Sequence, residues 1–264
     1  MKTILITGAS SGFGKEMAIY LTELGHNVIG TSRSCSSTGQ DYVMRTLDVT
    51  SDDSVRLCVQ EAMETFGHID VLINNAGNGI GGPIEETPIE KVKAQFDSNF
   101  FEVVRMNQAV LPIMKKQGRR LIINISSIGG AIGLPYQGFY AASKFALEGY
   151  TGALRMELDH SPISITNICL GDFNTGFTAA RSNPQNVSAD YLDHYNTIMA
   201  QYEENEKNGS SPKLIAELVE RIINKKDKHP VRYIVGKPTE RIAVKLKGLL
   251  GSKTFENILL KSLN

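Results

Sequence analysis

The chain has few cysteines, no surplus of either charge and no long apolar run, and each shortage closes off a class of protein. Its three cysteines, Cys35, Cys58 and Cys169, are odd in number and lack CxxC spacing. They encode neither a disulfide framework nor a zinc site, and no metal is expected; a reducing, cytoplasmic setting is. The 28 basic and 28 acidic residues cancel, which argues against a dedicated nucleic-acid binder. Nothing approaches the roughly 20 consecutive apolar residues of a membrane span. Met1-Lys2-Thr3-Ile4-Leu5-Ile6-Thr7-Gly8 runs directly into a strand and a glycine turn, so no signal peptide is expected. The neutrality hides one asymmetry: residues 225–264 hold ten Lys or Arg against three Asp or Glu, 10 − 3 = +7. Such a tail usually forms a solvated face; contact with a membrane surface or an acidic partner is the minor alternative.

What is present is a rhythm. Short apolar runs at Ile4 to Thr7, Asn27 to Thr31, Val43 to Leu47, Val71 to Asn74, Leu121 to Ser126, Ile163 to Leu170 and Arg232 to Val235 alternate with helical patterns. The helical patterns lie at about 12 to 25, 51 to 66, 88 to 117, 138 to 159 and 212 to 224, the last opened by the start signal Ser211-Pro212. Alternating β and α units predict an α/β fold, a doubly wound, Rossmann-type parallel sheet of seven strands. The runs are apolar on successive residues, as strands covered by helices on both faces require. At 264 residues, one domain over 1–264 is expected. Residues 171–211 break the rhythm with a connection carrying Phe173, Phe177, Tyr191, Tyr195 and Tyr202. Its 176–211 part reads as a substrate lid, or as a surface excursion with a helix near 189–207; residues 237–264 read as a basic C-terminal appendage.

Thr7-Gly8-Ala9-Ser10-Ser11-Gly12-Phe13-Gly14 falls between the first strand and the first helix, where backbone N–H groups and a helix N-terminus can face a pyrophosphate. The glycine spacing, three residues and then one, departs from the usual dinucleotide fingerprint. It resembles the short-chain dehydrogenase/reductase family instead. Asn74-Asn75-Ala76-Gly77 at the end of the fourth strand and the relative spacing of Ser127, Tyr140 and Lys144 strengthen the resemblance, which runs from Thr3 to about Val235. Leu134-Pro135, Tyr140 to Gly149 and Asn75 to Glu85 look like the hydroxysteroid and retinol dehydrogenase branch. The resemblance implies a cofactor surface of Gly8, Ser10, Ser11, Gly12, Phe13, Gly14, Arg33, Asp48, Val49, Asn75, Ala76, Gly77, Tyr140, Lys144, Gly171, Phe173 and Thr175. Asp48 would meet the adenine and Asn75 to Gly77 would wall the adenosine pocket; the bland role of Asp48 is to cap the helix starting near Ser51. It also implies a homodimer or homotetramer formed through the long helices near 100–117 and 140–158.

NAD is normally selected by an acid at the end of the second strand, and none stands in Gly30-Thr31-Ser32-Arg33-Ser34. Arg33 offers a charged fork and its neighbours offer hydroxyls, so NADP(H) is expected. Tyr140 and Lys144, four apart, share a helix face. The ammonium can therefore lower a phenol pKa from about 10 toward working pH, making Tyr140 the acid/base of hydride transfer to a carbonyl or from an alcohol. Alone, such a pair is commonly just a partly exposed one. By resemblance, Ser127 holds the substrate oxygen, Lys144 binds the nicotinamide ribose, and Asn99, in a helix, completes a proton relay. Ile132, Leu134 and Pro135, whose bland role is core packing, are expected beside a mainly apolar substrate. One departure is Leu170-Gly171, where the family usually has Pro-Gly; a looser turn near the nicotinamide is expected. Two further readings stand beside the enzyme: a non-catalytic NADP(H)-binding regulatory protein, and a peripheral membrane enzyme using Arg241, Lys245 and Lys247 around Ile242, Leu246, Leu249 and Leu250.

Overall fold

A computed structural model describes residues 1–34, 41–118, 120–177, 181–184, 186–226 and 228–263. Cys35, parts of the 176–211 segment, Asp227 and Asn264 lie outside the described residues. Seven strands form one sheet: β1 (Thr3–Ile6), β2 (Asn27–Ser32), β3 (Val43–Thr46), β4 (Val71–Asn74), β5 (Arg120–Ser127), β6 (Ile163–Leu170) and β7 (Arg232–Val235). Their order is β3-β2-β1-β4-β5-β6-β7, and every pairing is parallel.

Successive residues of a strand point to opposite faces, and here both faces are apolar. Ile4 and Ile6 enter one buried cluster, with Met17, Leu21, Val219 and Ile222 of α1 (Gly12–Glu23) and α7 (Lys213–Asn224). Leu5 enters the other, with Val55, Met106 and Leu154 of α2 (Asp52–Phe66), α4 (Glu102–Gln117) and α5 (Gly138–Glu157).

The middle of the sheet carries a polar row. Asn74, Asn124 and Asn167 lie side by side in register on β4, β5 and β6, all buried. Asn74 Nδ2 donates to Asn124 Oδ1 at 2.8 Å, and Asn124 Nδ2 donates to Asn167 Oδ1 at 3.1 Å and to Thr151 Oγ1 at 3.0 Å. These bonds tie together three strand registers whose ends carry the site, although Asn74 Oδ1 and Asn167 Nδ2 are buried without a hydrogen-bond partner among the described residues.

The helical pattern expected over 88–117 is broken. α3 (Ile89–Phe96) gives way to a π turn, Asp97–Phe101, before α4. The buried positions of α3 and of the turn are the polar Gln95 and Asn99, so no apolar signal marks the break and the sequence reads as one helix.

Beyond α6 (Ala189–Lys207), the C-terminal residues form a hairpin of α8 (Pro238–Leu249) and α9 (Ser252–Leu263). Val244 and Phe255 are buried with Ile132, and Leu246, Leu250 and Leu259 pack around them. Ile132 is thus core, and its expected place beside a substrate is corrected. The apolar set grouped by helical spacing also divides: Leu246 and Leu250 pack inward, whereas Ile242 and Leu249 are exposed on the side that carries Arg241 and Lys245. No described helix is long and apolar enough to cross a membrane.

Candidate active site

The strand order reverses between β1 and β4, and an open α/β sheet receives ligands where its order reverses, at the carboxyl ends of the strands. There the Thr7 hydroxyl accepts the N–H groups of Asn75 and Ala76, both at 2.9 Å, and donates to Glu102 Oε1 at 2.7 Å. Asn75 Nδ2 returns two hydrogen bonds, to the carbonyls of Thr7 at 2.8 Å and Gly8 at 3.1 Å. These contacts draw the two strand ends so close that side chains are excluded. A Cβ on Gly8, whose φ is +67°, would lie 2.9 Å from Ala76 Cα, and one on Gly14 would fall on the Gly8 carbonyl.

Ser11 precedes α1 in extended backbone (φ −155°, ψ 175°), and no side chain caps the helix. Ser10, Ser11 and Gly12 are exposed at the rim. An uncapped helix N-terminus behind a glycine cradle with no room for side chains fits a dinucleotide pyrophosphate by donor chemistry and by shape.

Beyond the carboxyl end of β2, Arg33 is exposed, and its charge acts on Asp48. Asp48 Oδ1 accepts the Thr50 N–H at 3.0 Å and the Thr50 hydroxyl at 2.7 Å, hydrogen bonds that lower its pKa. Asp48 is not the cap of α2; that is Ser51, whose Oγ accepts the Ser54 N–H at 3.3 Å. Val49 is half-buried against the α2 side of the core. Phe13 and Phe173 turn toward each other, ring centroids 5.3 Å apart and nearly perpendicular, with Phe173 buried. Their rings are therefore wall between the first turn and the turn after β6.

At the other end, β5 delivers Ser127, α5 delivers Tyr140 and Lys144, and the π turn delivers Asn99. Ser127 Oγ accepts the Gly129 N–H at 3.0 Å and is hydrogen-bonded to the Tyr140 hydroxyl. Lys144 is buried; its Nζ donates to the Ile125 carbonyl at 2.9 Å and lies 5.9 Å from the Tyr140 ring centroid. Asn99 is buried with its side chain in use: Nδ2 donates to the Asn78 carbonyl at 2.9 Å and Oδ1 accepts the Asn78 N–H at 3.0 Å. A Cβ on Gly77 would sit 3.1 Å from Asn99 Oδ1 and 3.9 Å from Lys144 Nζ, so the fourth strand's end, the π turn and α5 converge there.

The electrostatics correct one expectation. The Tyr140 pKa is raised, not lowered: burial outweighs the Ser127 hydrogen bond, and the opposing charge comes from Arg181, not Lys144. Burial in turn brings Lys144 down to about 8, against the pull of Glu102 and Glu148. A desolvated ammonium held by a carbonyl is poised near neutrality rather than fixed as a cation.

Three residues of this region, Glu102, Arg181 and Tyr136, escaped the sequence reading. Glu102, fully buried, is raised to about 7 by burial against the Thr7 hydrogen bond and the Lys144 charge. Its signal was there: it stands at helical spacing with the buried Met106 and Val110, a carboxylate on an apolar stripe. Arg181 is buried, its guanidinium 5.9 Å from the Tyr202 ring centroid, and Phe177 lies 5.7 Å from the Tyr140 ring. Both come from the 176–211 segment, which also pairs with the fourth-strand loop through Ile80 and Ser182. α6 buries Tyr195, Ile198, Met199 and Tyr202 against Leu134 and Tyr136, and the Tyr202 hydroxyl donates to the Pro135 carbonyl at 3.2 Å. Tyr136 has φ +56°, backbone strain of the kind that concentrates at ligand sites. Among the described residues, no cluster of His, Cys, Asp or Glu is arranged to hold a metal.

This arrangement, a glycine cradle at the reversal point and a Ser, Tyr and Lys set at the neighbouring strand end, is that of a nicotinamide-dependent oxidoreductase. The model of the short chain dehydrogenase family matches residues 2–186, and the chain belongs to that family. It is 47% identical over 258 residues to 3-ketodihydrosphingosine reductase of Bacteroides thetaiotaomicron, covering 97% of this chain and 96% of that one. It is 38% identical over 190 residues to human retinol dehydrogenase 8, covering 67% of this chain and 60% of that one. Among solved structures, a short-chain dehydrogenase from Streptomyces avermitilis superposes with a TM-score of 0.82 at 26% identity, covering 98% and 96% of the two chains.

Proposed function

We propose that the chain is an NADP(H)-dependent reductase of a ketone on a long, mainly apolar molecule, with a 3-keto sphingoid base the first substrate to try. The observation that carries this reading is the convergence of Ser127, Tyr140 and Lys144 beside Gly77 at the C-terminal edge of the sheet. Similarity to a 3-ketodihydrosphingosine reductase along 97% of the chain supports the substrate class and the direction of reduction. The buried aromatic cluster of α6 beside Leu134 supports an apolar ligand. The complete acid/base set disfavours a purely regulatory coenzyme binder.

When bound, the nicotinamide supplies or accepts the hydride. Ser127 holds the substrate oxygen through its hydroxyl. Tyr140 gives its phenolic proton to that oxygen in reduction, or takes it in oxidation. Lys144 hydrogen-bonds the nicotinamide ribose and, with its pKa near 8, returns the proton to Tyr140 along a path that Asn99 completes. A phenol whose pKa burial has raised stays protonated at working pH, the form that reduction needs. Arg33 takes the 2′-phosphate, Asp48 the adenine, and Gly171 and Thr175 border the nicotinamide. Self-association across α4 and α5, where Phe101 of the adjoining π turn and Phe145 and Met156 of α5 are exposed, belongs to the same reading.

Following NADPH absorbance across a panel of carbonyl compounds that includes 3-ketodihydrosphingosine tests it. Turnover restricted to long-chain ketones is expected; turnover only of small polar carbonyls, or none at all, overturns it.

A further inference from the structure

The turn after β6 has Leu170 where the family usually has proline, a departure from which a looser turn is expected, yet it is held from a part of the chain far away in sequence. The Gly171 N–H donates to the Val235 carbonyl at 2.8 Å. The Asp172 N–H donates to Glu240 Oε1 at 2.9 Å, and the other oxygen of the same carboxylate accepts the Lys237 N–H at 2.6 Å. Glu240 thus bridges the first turn of α8 to the turn after β6. Its carboxylate is wedged between two glycines: a Cβ on Gly171, or on Gly236 at the end of β7, would fall on it. On its far side the turn runs into Phe173, which abuts Phe13 of the glycine cradle, and Thr175, whose hydroxyl donates to Glu206 at 3.1 Å.

We infer that Glu240 is a positioning residue for the nicotinamide half of the coenzyme, fixing the Gly171–Asp172 backbone in place of the missing proline. Proline restricts a turn by locking φ; a carboxylate accepting two backbone N–H bonds restricts it by tying both of its neighbours to one rigid group. Burial and the adjacent Glu240 carboxylate push the Asp172 pKa up to about 7, against the Lys237 charge, so near neutrality Asp172 can hold a proton and relieve the repulsion between the two side chains. The inference rests on the proposed reading that this turn borders the nicotinamide, which the test probes separately.

Calorimetric titration of wild type, Glu240→Ala and Glu240→Gln with NADPH and with 2′-phospho-ADP-ribose, which lacks only the nicotinamide, isolates the effect. The same pair of titrations with NADH and ADP-ribose covers a wild type that prefers those ligands, so a failure of the Arg33 assignment leaves the comparison intact. Glu240→Ala is expected to weaken the whole coenzyme about tenfold or more, the scale of a lost hydrogen bond to a charged group, while the fragment stays within about twofold. Glu240→Gln, which keeps one acceptor, is expected to fall between. Equal weakening of both ligands, or of neither, overturns the inference; if Glu240→Ala does not fold, the Glu240→Gln ratio decides by the same criterion. A wild type that binds fragment and coenzyme equally overturns the underlying placement of the nicotinamide.

Discussion

Replacing Asn124 with alanine tests whether the buried amide row holds the sheet, and the structure allows the cost to be worked out. The side chain makes three hydrogen bonds, accepting from Asn74 at 2.8 Å and donating to Thr151 at 3.0 Å and Asn167 at 3.1 Å. After the change, one N–H of Asn74 is left buried without an acceptor, because its other bond, to Asn107 at 3.2 Å, uses the second hydrogen. That orphan costs about 1–3 kcal/mol. Thr151 and Asn167 keep their bond to each other at 2.9 Å, so each loses only part of its satisfaction, about 1 kcal/mol apiece. The expected loss is therefore about 3–5 kcal/mol, a large share of a typical net stability of 5–15 kcal/mol. In urea unfolding the midpoint should fall by about 1–2 M with the slope unchanged. Asn107→Ala orphans the other Asn74 N–H, through the longer 3.2 Å bond, and removes the 3.3 Å bond to the partly exposed Tyr150 hydroxyl, and should cost about 1–3 kcal/mol. A loss below about 1 kcal/mol for Asn124→Ala, or a larger loss for Asn107→Ala, would refute the view that the row carries the registers.

Other outcomes follow from the site. Tyr140→Phe should keep coenzyme affinity, measured by fluorescence titration, and lose turnover by about 10²–10⁴-fold, the usual weight of a general acid; retained turnover removes Tyr140 from the chemistry. Arg33→Ala should weaken NADPH about tenfold or more and leave NADH unchanged, which parallel titrations read directly. Glu102 holds its proton to about pH 7 when folded but only to its ordinary value of 4.5 when unfolded, so its contribution to stability declines as pH rises through that window and is constant above it. Glu102→Gln should therefore flatten the decline and raise stability at pH 8 by up to about 3 kcal/mol, with little gain at pH 4, as thermal unfolding across pH would register.

Most of the sheet was legible because its signals are local. Runs such as Ile4 to Ile6 and Val71 to Ile73, apolar on both faces, mark strands under two helix layers, and the glycine cradle announces itself by composition at a strand end. The departures are places where distant residues decide. Ile132 looks like pocket lining until α8 and α9 cover it. The Tyr140 phenol is tuned by burial and by Arg181, which lies in a segment whose return over the site has no local signature. Glu240 looks like an ordinary acid in the first turn of a helix, and only the fold brings it to Gly171. The π turn is hidden because the face that α3 buries carries Gln95 and no buried apolar residue, so the one-residue shift in phase leaves no apolar signal.

That turn has an evolutionary corollary. It accommodates more chain than the α-helical turns on either side, so dropping one residue from 97–101 would restore a continuous helix. The adjoining α3 would then rotate by about 100° relative to α4. Asn99 would lose its grip on Asn78, while the sheet beneath would remain foldable. A lineage could thus gain or discard this anchor by inserting or losing a single codon.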